Sequence, residues 1–249
     1  MNDAELPSAE LSRAEAEWLR PARARLLRRA AIARRARVLE LGCGHGAVTD
    51  ELARRSGGMV VAVDLRRWAL QAGNLRSRSG AEGAVAYVAA DARRLPFGSA
   101  RFDLVFCQWL FLWADAPQVA AEAFRVLVGG GALVAIEPDY GGMIEHPEPL
   151  AVRDVWIDAL RRAGADPLVG RKLPGALAAA GFQVRVDLVD RLEPPAAERF
   201  RLLEELPLDE SQGRRLDAAR RFDAGCPAWA KTVHLPFFLV LAEKPPAAR

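Results

Sequence analysis

Val38-Leu39-Glu40-Leu41-Gly42-Cys43-Gly44-His45-Gly46 is the stretch that decides how the rest of the chain is read. Val38 to Leu41 is a short apolar run with one acid in it, the pattern of a buried parallel strand. Glycines then arrive at alternate positions, where the chain needs residues that take φ > 0 and admit another group close to the backbone. Beyond Gly46 the spacing turns helical: Val48 and Leu52 lie four apart, with Thr49, Asp50 and Glu51 between them. The order is strand, tight glycine turn, and a helix from about Ala47 to Arg55. A helix starting there aims free N–H groups and a partial positive charge at whatever sits over the turn.

Two ligand classes use such a turn. A dinucleotide requires G-x-G-x-x-G, so that its pyrophosphate rests on the helix N-terminus. Here the third glycine comes one residue early, and Glu40 stands two residues before the first. A carboxylate in that place repels a phosphate and favours an amine or a sulfonium. The stretch E-L-G-C-G-H-G therefore suits a ligand carrying a carboxylate, an ammonium and a sulfonium. It closely resembles the first motif of class I S-adenosylmethionine (SAM)-dependent methyltransferases. The plainer alternative is a glycine turn that only joins strand to helix.

With 249 residues, 51% of them hydrophobic, the chain can bury a substantial core as one α/β domain, or one domain with a lid. No apolar run approaches the ~18–20 residues needed to span a bilayer. The acidic start Met1-Asn2-Asp3-Ala4-Glu5-Leu6-Pro7 has no apolar core of a secretory signal. Cys43, Cys107 and Cys226 are widely spaced and form neither a disulfide framework nor a zinc pattern. His45, His146 and His234 are scattered too, so no metal site is expected. A soluble cytoplasmic protein with free thiols is expected. The net charge of +3 is carried almost entirely by arginine. Its densest cluster is Arg20, Arg23, Arg25, Arg28, Arg29, Arg34, Arg35 and Arg37, interleaved with leucine and alanine at roughly helical spacing. That reads as a solvated helix face, with a nucleic-acid patch as the alternative.

Taken in order, Ser12 and Glu15 fit a capping box, and Pro21 starts or restarts a helix that ends near Arg35. After the glycine turn, Met59–Asp64 reads as a second strand, Leu65–Arg78 as a helix and Val85–Ala90 as a third strand closed by Asp91. Phe102–Cys107 is a fourth strand, continued by Gln108-Trp109-Leu110-Phe111-Leu112-Trp113 into an aromatic edge. Asp115 caps a helix with Pro117 in its first turn, Gly129-Gly130-Gly131 ends it, and Ala132–Glu137 is a fifth strand. Five strands alternating with helices imply a doubly wound parallel sheet. Further on, Leu150–Ala163 and Gly170–Ala180 read as helices, Phe182–Val189 as a strand, and Pro194–Phe222 as helical with interruptions at Pro207 and Gly213. Val233–Ala242 is a final strand.

The resemblance covers residues 36–140 closely and 141–249 in outline. Glu40, Gly42, Gly44 and Gly46 match the first motif, Asp64 the acid after strand 2, and Asp91 the acid after strand 3. Phe102-Asp103-Leu104-Val105 matches the fourth strand. It implies a Rossmann-like, doubly wound, seven-stranded sheet, mostly parallel with an antiparallel C-terminal strand. It also implies SAM as cofactor, held by Glu40, Gly42, Cys43, Gly44, Gly46, Asp64, Leu65, Asp91, Ala92, Gln108 and Trp109. In that scheme Asp64 accepts from the ribose diol and Asp91 from an adenine amine, with the Ala92 N–H donating to the ring. Each acid has a structural alternative, as helix cap or loop cap. Cys43 reads as a small packing residue. The Pro-Pro-aromatic signature of DNA amino-methyltransferases is replaced here by Cys107-Gln108-Trp109-Leu110.

The expected activity is methyl transfer to a small-molecule acceptor by in-line displacement. One domain is expected, with residues 1–35 as an N-terminal flap carrying Trp18 and Arg20, 36–137 as cofactor core and 190–231 as a helical lid. Trp109, Phe111 and Trp113 are candidate walls, and Tyr140 and His146 are candidates to orient or deprotonate the acceptor. The alternatives are an RNA-modifying methyltransferase or noncatalytic SAM- or RNA-binding protein and, further off, an NAD-dependent oxidoreductase. Neither the acceptor atom nor the oligomeric state follows from the sequence.

Overall fold

A computed structural model describes residues 8–66, 85–189 and 199–246. Most of the helix expected over Leu65–Arg78, and the start of the expected lid at 190–198, lie outside the described residues.

The sheet is built from β1 (Arg37–Leu41), β2 (Met59–Asp64), β3 (Val85–Ala89), β4 (Phe102–Gln108), β5 (Leu127–Pro138), β7 (Gln183–Leu188) and β9 (Phe237–Glu243), in the order β3-β2-β1-β4-β5-β9-β7. The first five run parallel; β9 is antiparallel to both β5 and β7. β1 and β2 are buried along nearly their whole length, which is why they read as continuous apolar runs. Successive residues point to opposite faces. Leu39, Leu41, Val61, Val63 and Val105 enter one core, and Val38, Val60, Leu104, Phe106 and Val134 the other. A separate ribbon pairs β6 (Ile144–His146) with β8 (Thr232–His234).

The helices are α1 (Ala9–Arg29), α2 (Thr49–Arg55), α3 (Ala116–Val126), α4 (Arg153–Arg162), α5 (Val169–Ala179), α6 (Arg199–Glu204) and α7 (Glu210–Gly225). α2 and most of α1 pack on one face; α3, α4, α5, α6 and α7 contribute to the core on the other. α1 crosses between the two: Leu11 belongs to the core that holds Tyr140 and Trp156, while Ala16, Leu19, Leu26 and Leu27 belong to the one that holds Phe237 and Leu239. Burying Leu26 and Leu27 is worth about 1.5–3 kcal/mol each. Among the described residues no helix is long and apolar enough to cross a membrane.

Several boundaries differ from the sequence expectation for physical reasons. α1 is a single helix capped by Ser8, whose hydroxyl accepts from Leu11 N at 3.2 Å, and Pro21 lies inside it. Burial of the leucine stripe outweighs the ~3 kcal/mol that an interior proline costs. α2 begins at Thr49, two residues later than the spacing implied. The chain passes from α3 directly into β5, and the three glycines extend that strand: Gly130 N donates to Lys244 O, and Lys244 N to Gly131 O. β4 stops at Gln108, because Trp109 takes φ +60° and starts a turn. The last strand is divided at Leu235-Pro236, where the chain leaves the ribbon for the sheet. α7 runs through Gly213, whose N–H bonds Asp209 O.

Candidate cofactor and acceptor site

The glycine turn sits at the carboxyl end of β1, between β2 and β4. Gly42 N and Cys43 N donate to Val63 O at 2.8 and 3.0 Å, which ties the turn to the end of β2. Gly42 has φ +72°, and a Cβ there would meet Leu110 Cδ1 at 3.0 Å. Gly44 has φ +47°, and a Cβ would meet nothing within 4 Å, so the backbone is open to an approaching group. Thr49, the first residue of α2, donates its hydroxyl to Glu40 Oε2 at 2.6 Å. Burial pushes the Glu40 carboxyl up to about 7, against the Thr49 hydrogen bond and the positive charge of Arg23. Burial likewise pushes the Cys43 and Cys107 thiols up, which keeps them neutral packing groups rather than thiolates.

Asp64 closes the second side of the turn. Its Oδ2 accepts from Gly44 N at 2.9 Å, and its Oδ1 from Arg66 N at 2.9 Å. Each carboxylate oxygen has two lone pairs, so Asp64 retains capacity to accept from a ligand. Leu65 follows it and is exposed. Asp91 lies beyond β3, with Ala92 next to it. Arg93 binds the Asp91 carboxylate through its backbone N–H at 2.8 Å and through its guanidinium, which holds the carboxyl below the usual range. Arg93 thus makes two contacts to each oxygen, so Asp91 serves as a loop cap, and a ligand amine there would have to displace part of the Arg93 guanidinium. Hydrogen bonds and strand pairing thus bring Glu40, Gly42, Cys43, Gly44, Gly46 and Asp64 into one cluster, with Gln108 and Trp109 at the end of the neighbouring β4.

The arginine-rich composition around Arg23 implies a solvated face, but Arg23 is 2% exposed. Its Nε and Nη2 donate to Glu51 Oε2 at 2.9 and 2.6 Å, and its Nη1 to Ala16 O at 2.8 Å and Gln108 Oε1 at 3.1 Å. Arg55 holds the other Glu51 oxygen at 2.6 Å. This network fastens α1 to α2 and to the end of β4. The signal was in the spacing: Leu11, Glu15, Leu19, Arg23 and Leu27 recur every fourth residue, which places two charged residues on the apolar stripe.

Glu137 at the end of β5 receives Leu110 N and Phe111 N on Oε1 at 2.8 and 2.9 Å, and Leu112 N on Oε2 at 3.3 Å. It shapes the turn that follows Trp109, while burial pushes its carboxyl up to about 8. Trp109 packs edge-on against Phe237, and Phe237 against Trp18 of α1, each at 5.1 Å between centroids. Tyr140 is buried in a short 3-10 turn, Tyr140–Gly142, and stacks on Trp156 of α4 with centroids 5.0 Å apart. Burial raises its hydroxyl well above the ordinary value. His146 is exposed on β6, in a different environment from Tyr140. α6 contributes Phe200, Leu202 and Leu203 to the core around Tyr140, and its Arg201 pairs with Glu10 of α1 at 2.9 and 3.0 Å. Among the described residues no group of three or more His, Cys, Asp or Glu side chains stands together as a metal site would require.

Residues 39–135 match the model of a family described as Methyltransferase domain. The malonyl-[acyl-carrier protein] O-methyltransferase of Enterobacter lignolyticus (strain SCF1) is 38% identical over 109 residues, 43% of this chain and 41% of that protein. The ubiquinone/menaquinone biosynthesis C-methyltransferase UbiE of Vibrio vulnificus (strain YJ016) is 38% identical over 107 residues, 41% of this chain and 40% of that protein. The matched stretch thus spans about two fifths of the length of each of these relatives. A crystal structure of geranyl diphosphate C-methyltransferase from Streptomyces coelicolor A3(2), in complex with Mg2+, geranyl diphosphate and S-adenosyl-L-homocysteine, shares the fold. Its TM-score is 0.61 at 18% identity, over 90% of this chain and 77% of that one. With the strand order β3-β2-β1-β4-β5-β9-β7 and the glycine turn between β1 and α2, residues 39–135 are similar to the methyltransferase domain of the class I S-adenosylmethionine-dependent enzymes.

Proposed function

We propose that the protein transfers the methyl group of SAM to a small-molecule acceptor in the cytoplasm. The observation that carries the reading is the turn itself: backbone open over Gly44, a buried acid at the end of β1 and a second acid bonded to the turn from β2. That donor set fits SAM, with Glu40 beside its cationic end, the Gly42–Gly46 turn along its backbone, and Asp64 and Leu65 at the ribose. Asp91 and Ala92 would take the adenine, and Gln108 and Trp109 the side towards the acceptor. Bound SAM supplies an already activated methyl group. The chain's part is to orient the acceptor, keep water out and lead away a proton. Tyr140 and His146 are the candidates for work on the acceptor, and the raised hydroxyl of Tyr140 favours donating a hydrogen bond over taking a proton.

Calorimetric titration with SAM, S-adenosylhomocysteine and NADH tests the reading. Binding of the first two and not the third is expected, followed by release of S-adenosylhomocysteine with one member of an acceptor panel. Binding of NADH alone would sink it. The fold by itself does not fix the activity, so the acceptor assay is required.

A further inference from the structure

Gln108, the last residue of β4, is half-buried at the carboxyl edge of the sheet. Cys107 pairs with Leu41, so Gln108 stands level with Gly42, where the glycine turn begins. Its side chain shares a face with Phe106, on the α1 and α2 side, and Glu40 pairs with Phe106 one step below. Arg23 Nη1 donates to Gln108 Oε1 at 3.1 Å. A guanidinium only donates, so this contact decides the orientation of the amide: Oε1 faces Arg23, and Nε2 is the free end. Arg23 is itself held fast, being 2% exposed and bonded also to Glu51 and to Ala16 O. Arg55 braces Glu51 in turn at 2.6 Å. Among the described residues Gln108 Nε2 has no hydrogen-bond partner, and unlike Trp109 Nε1 it is not sealed from solvent. The turn beside it has few donors to spare. Gly42 N and Cys43 N are spent on Val63 O, Gly44 N on Asp64 Oδ2, and Gly46 N on Cys43 O at 2.7 Å. Glu40 and Asp64 add two buried acids to the same place. An ammonium is favoured there, but a ligand that also carries a carboxylate needs a donor from a side chain.

We propose that Gln108 Nε2 is that donor, taking the amino-acid carboxylate of the cofactor, and that Arg23 is the positioning residue that turns it outward. The proposal rests on the SAM reading and refines it: of the pair at the end of β4, Gln108 takes the amino-acid end of the cofactor, and Trp109 stays towards the acceptor. A neutral amide N–H bonded to a carboxylate is a charge-assisted contact, stronger than one between neutral groups. Without Arg23 the amide can flip about its last torsion. It then presents Oε1, whose lone pairs repel a carboxylate, as readily as Nε2. Arg23 thus acts on the ligand through Gln108 and never touches it.

The test uses the full chain and two probes, S-adenosylhomocysteine and methylthioadenosine, which share adenosine and a thioether and differ in the amino-acid group. Affinities are read by ligand-observed NMR. If the unmutated protein does not bind S-adenosylhomocysteine, the SAM reading falls and this proposal with it; in protein that binds it, the variants below bear on the proposal alone. Gln108→Met removes the donor at nearly equal length. It should weaken S-adenosylhomocysteine about tenfold or more, and methylthioadenosine by less than about twofold. Gln108→Glu, with an oxygen in place of Nε2, should weaken S-adenosylhomocysteine further. Arg23→Met should weaken S-adenosylhomocysteine by about threefold to tenfold and leave methylthioadenosine unchanged. Arg23→Lys keeps the charge beside Glu51 without the fork that also reaches Gln108, so it should show the same selective loss, and it serves should the methionine variant not fold. Combined with Gln108→Met, either Arg23 change should add less than about twofold, because the amide it orients is gone. An Arg23 that only braces α1 would weaken both probes alike and add in full to Gln108→Met. Equal loss of the two probes, unchanged S-adenosylhomocysteine affinity in folded Gln108→Met, or tighter binding by Gln108→Glu, which would set this residue beside the ammonium instead, would each overturn the proposal.

Discussion

Arg23→Met removes a buried charge while keeping an unbranched apolar stem, so it tests the network that fastens α1 to the cofactor turn with little loss of volume. The guanidinium makes four contacts, two to Glu51 and one each to Ala16 O and Gln108. Removing one partner of a buried pair costs about 3–5 kcal/mol, because the other charge is left uncompensated. Glu51 keeps Arg55 at 2.6 Å and is 13% exposed, which places the loss near the lower end, about 3 kcal/mol. With a urea m-value of ~2–3 kcal/mol/M, the midpoint of tryptophan-monitored unfolding should fall by about 1 M or more at unchanged slope. Arg23 also favours the ionised form of Glu40. Its loss should therefore move the pH at which SAM binding strengthens upward. A midpoint within roughly 0.2 M of wild type would refute the assignment of α1 docking to this residue.

Glu40 gives a pH dependence with a definite sign. Its folded value is raised from 4.5 to about 7, so its contribution to the stability of the ligand-free protein is full below 4.5 and is lost as pH rises through 7. Affinity for cationic SAM should run the other way, rising from pH 6 to pH 8, and Glu40→Gln should flatten the calorimetric profile. Asp64→Ala should weaken SAM binding by about 2–4 kcal/mol, since it removes charged acceptors and frees Gly44 N; unchanged affinity in a folded mutant would leave Asp64 a helix and turn cap. Gly42→Ala should destabilise the protein by roughly 1–2 kcal/mol, from left-handed backbone and the Leu110 contact. Gly44 shares the left-handed backbone, so Gly44→Ala should also cost about 1 kcal/mol of stability, but its methyl meets no protein atom within 4 Å and should weaken SAM binding in addition; unchanged affinity would argue against a ligand over Gly44.

The parallel part of the sheet was legible because buried strands carry continuous apolar runs, as in Val38–Leu41 and Met59–Val63, and the acids and glycines at their ends mark the carboxyl edge. What escaped had weaker or conflicting local signals. Strands of three residues, Ile144–His146 and Thr232–His234, are too short for a period to show. Gly129–Gly131 carries turn chemistry, yet its hydrogen bonds with Lys244, just beyond β9, draw it into β5. Pro21 suggests a break that burial overrides. Arg23 lies in a run of arginines whose composition implies solvent, and only the fourfold spacing with leucine distinguishes it. The surroundings of Tyr140 were the least legible, since Trp156 of α4 stacks on it and Phe200 of α6 joins the same core from a segment far away in sequence.

The crossing of α1 over the sheet also bears on the order in which the molecule can be completed during synthesis. Several partners of this helix, Phe237 and Leu239 on β9 and Arg201 and Glu205 near α6, leave the ribosome long after it does: Glu10 and Arg201 are 191 positions apart, and Ser8 and Glu205 are 197. Contacts of such separation form slowly, because the loop entropy is lost before they are gained. A nascent chain stalled before β9 would therefore hold α1 through the Arg23 contacts to Glu51 and Gln108, with Trp18 still lacking the Phe237 ring it packs against. The seat of α1 would be completed by β9.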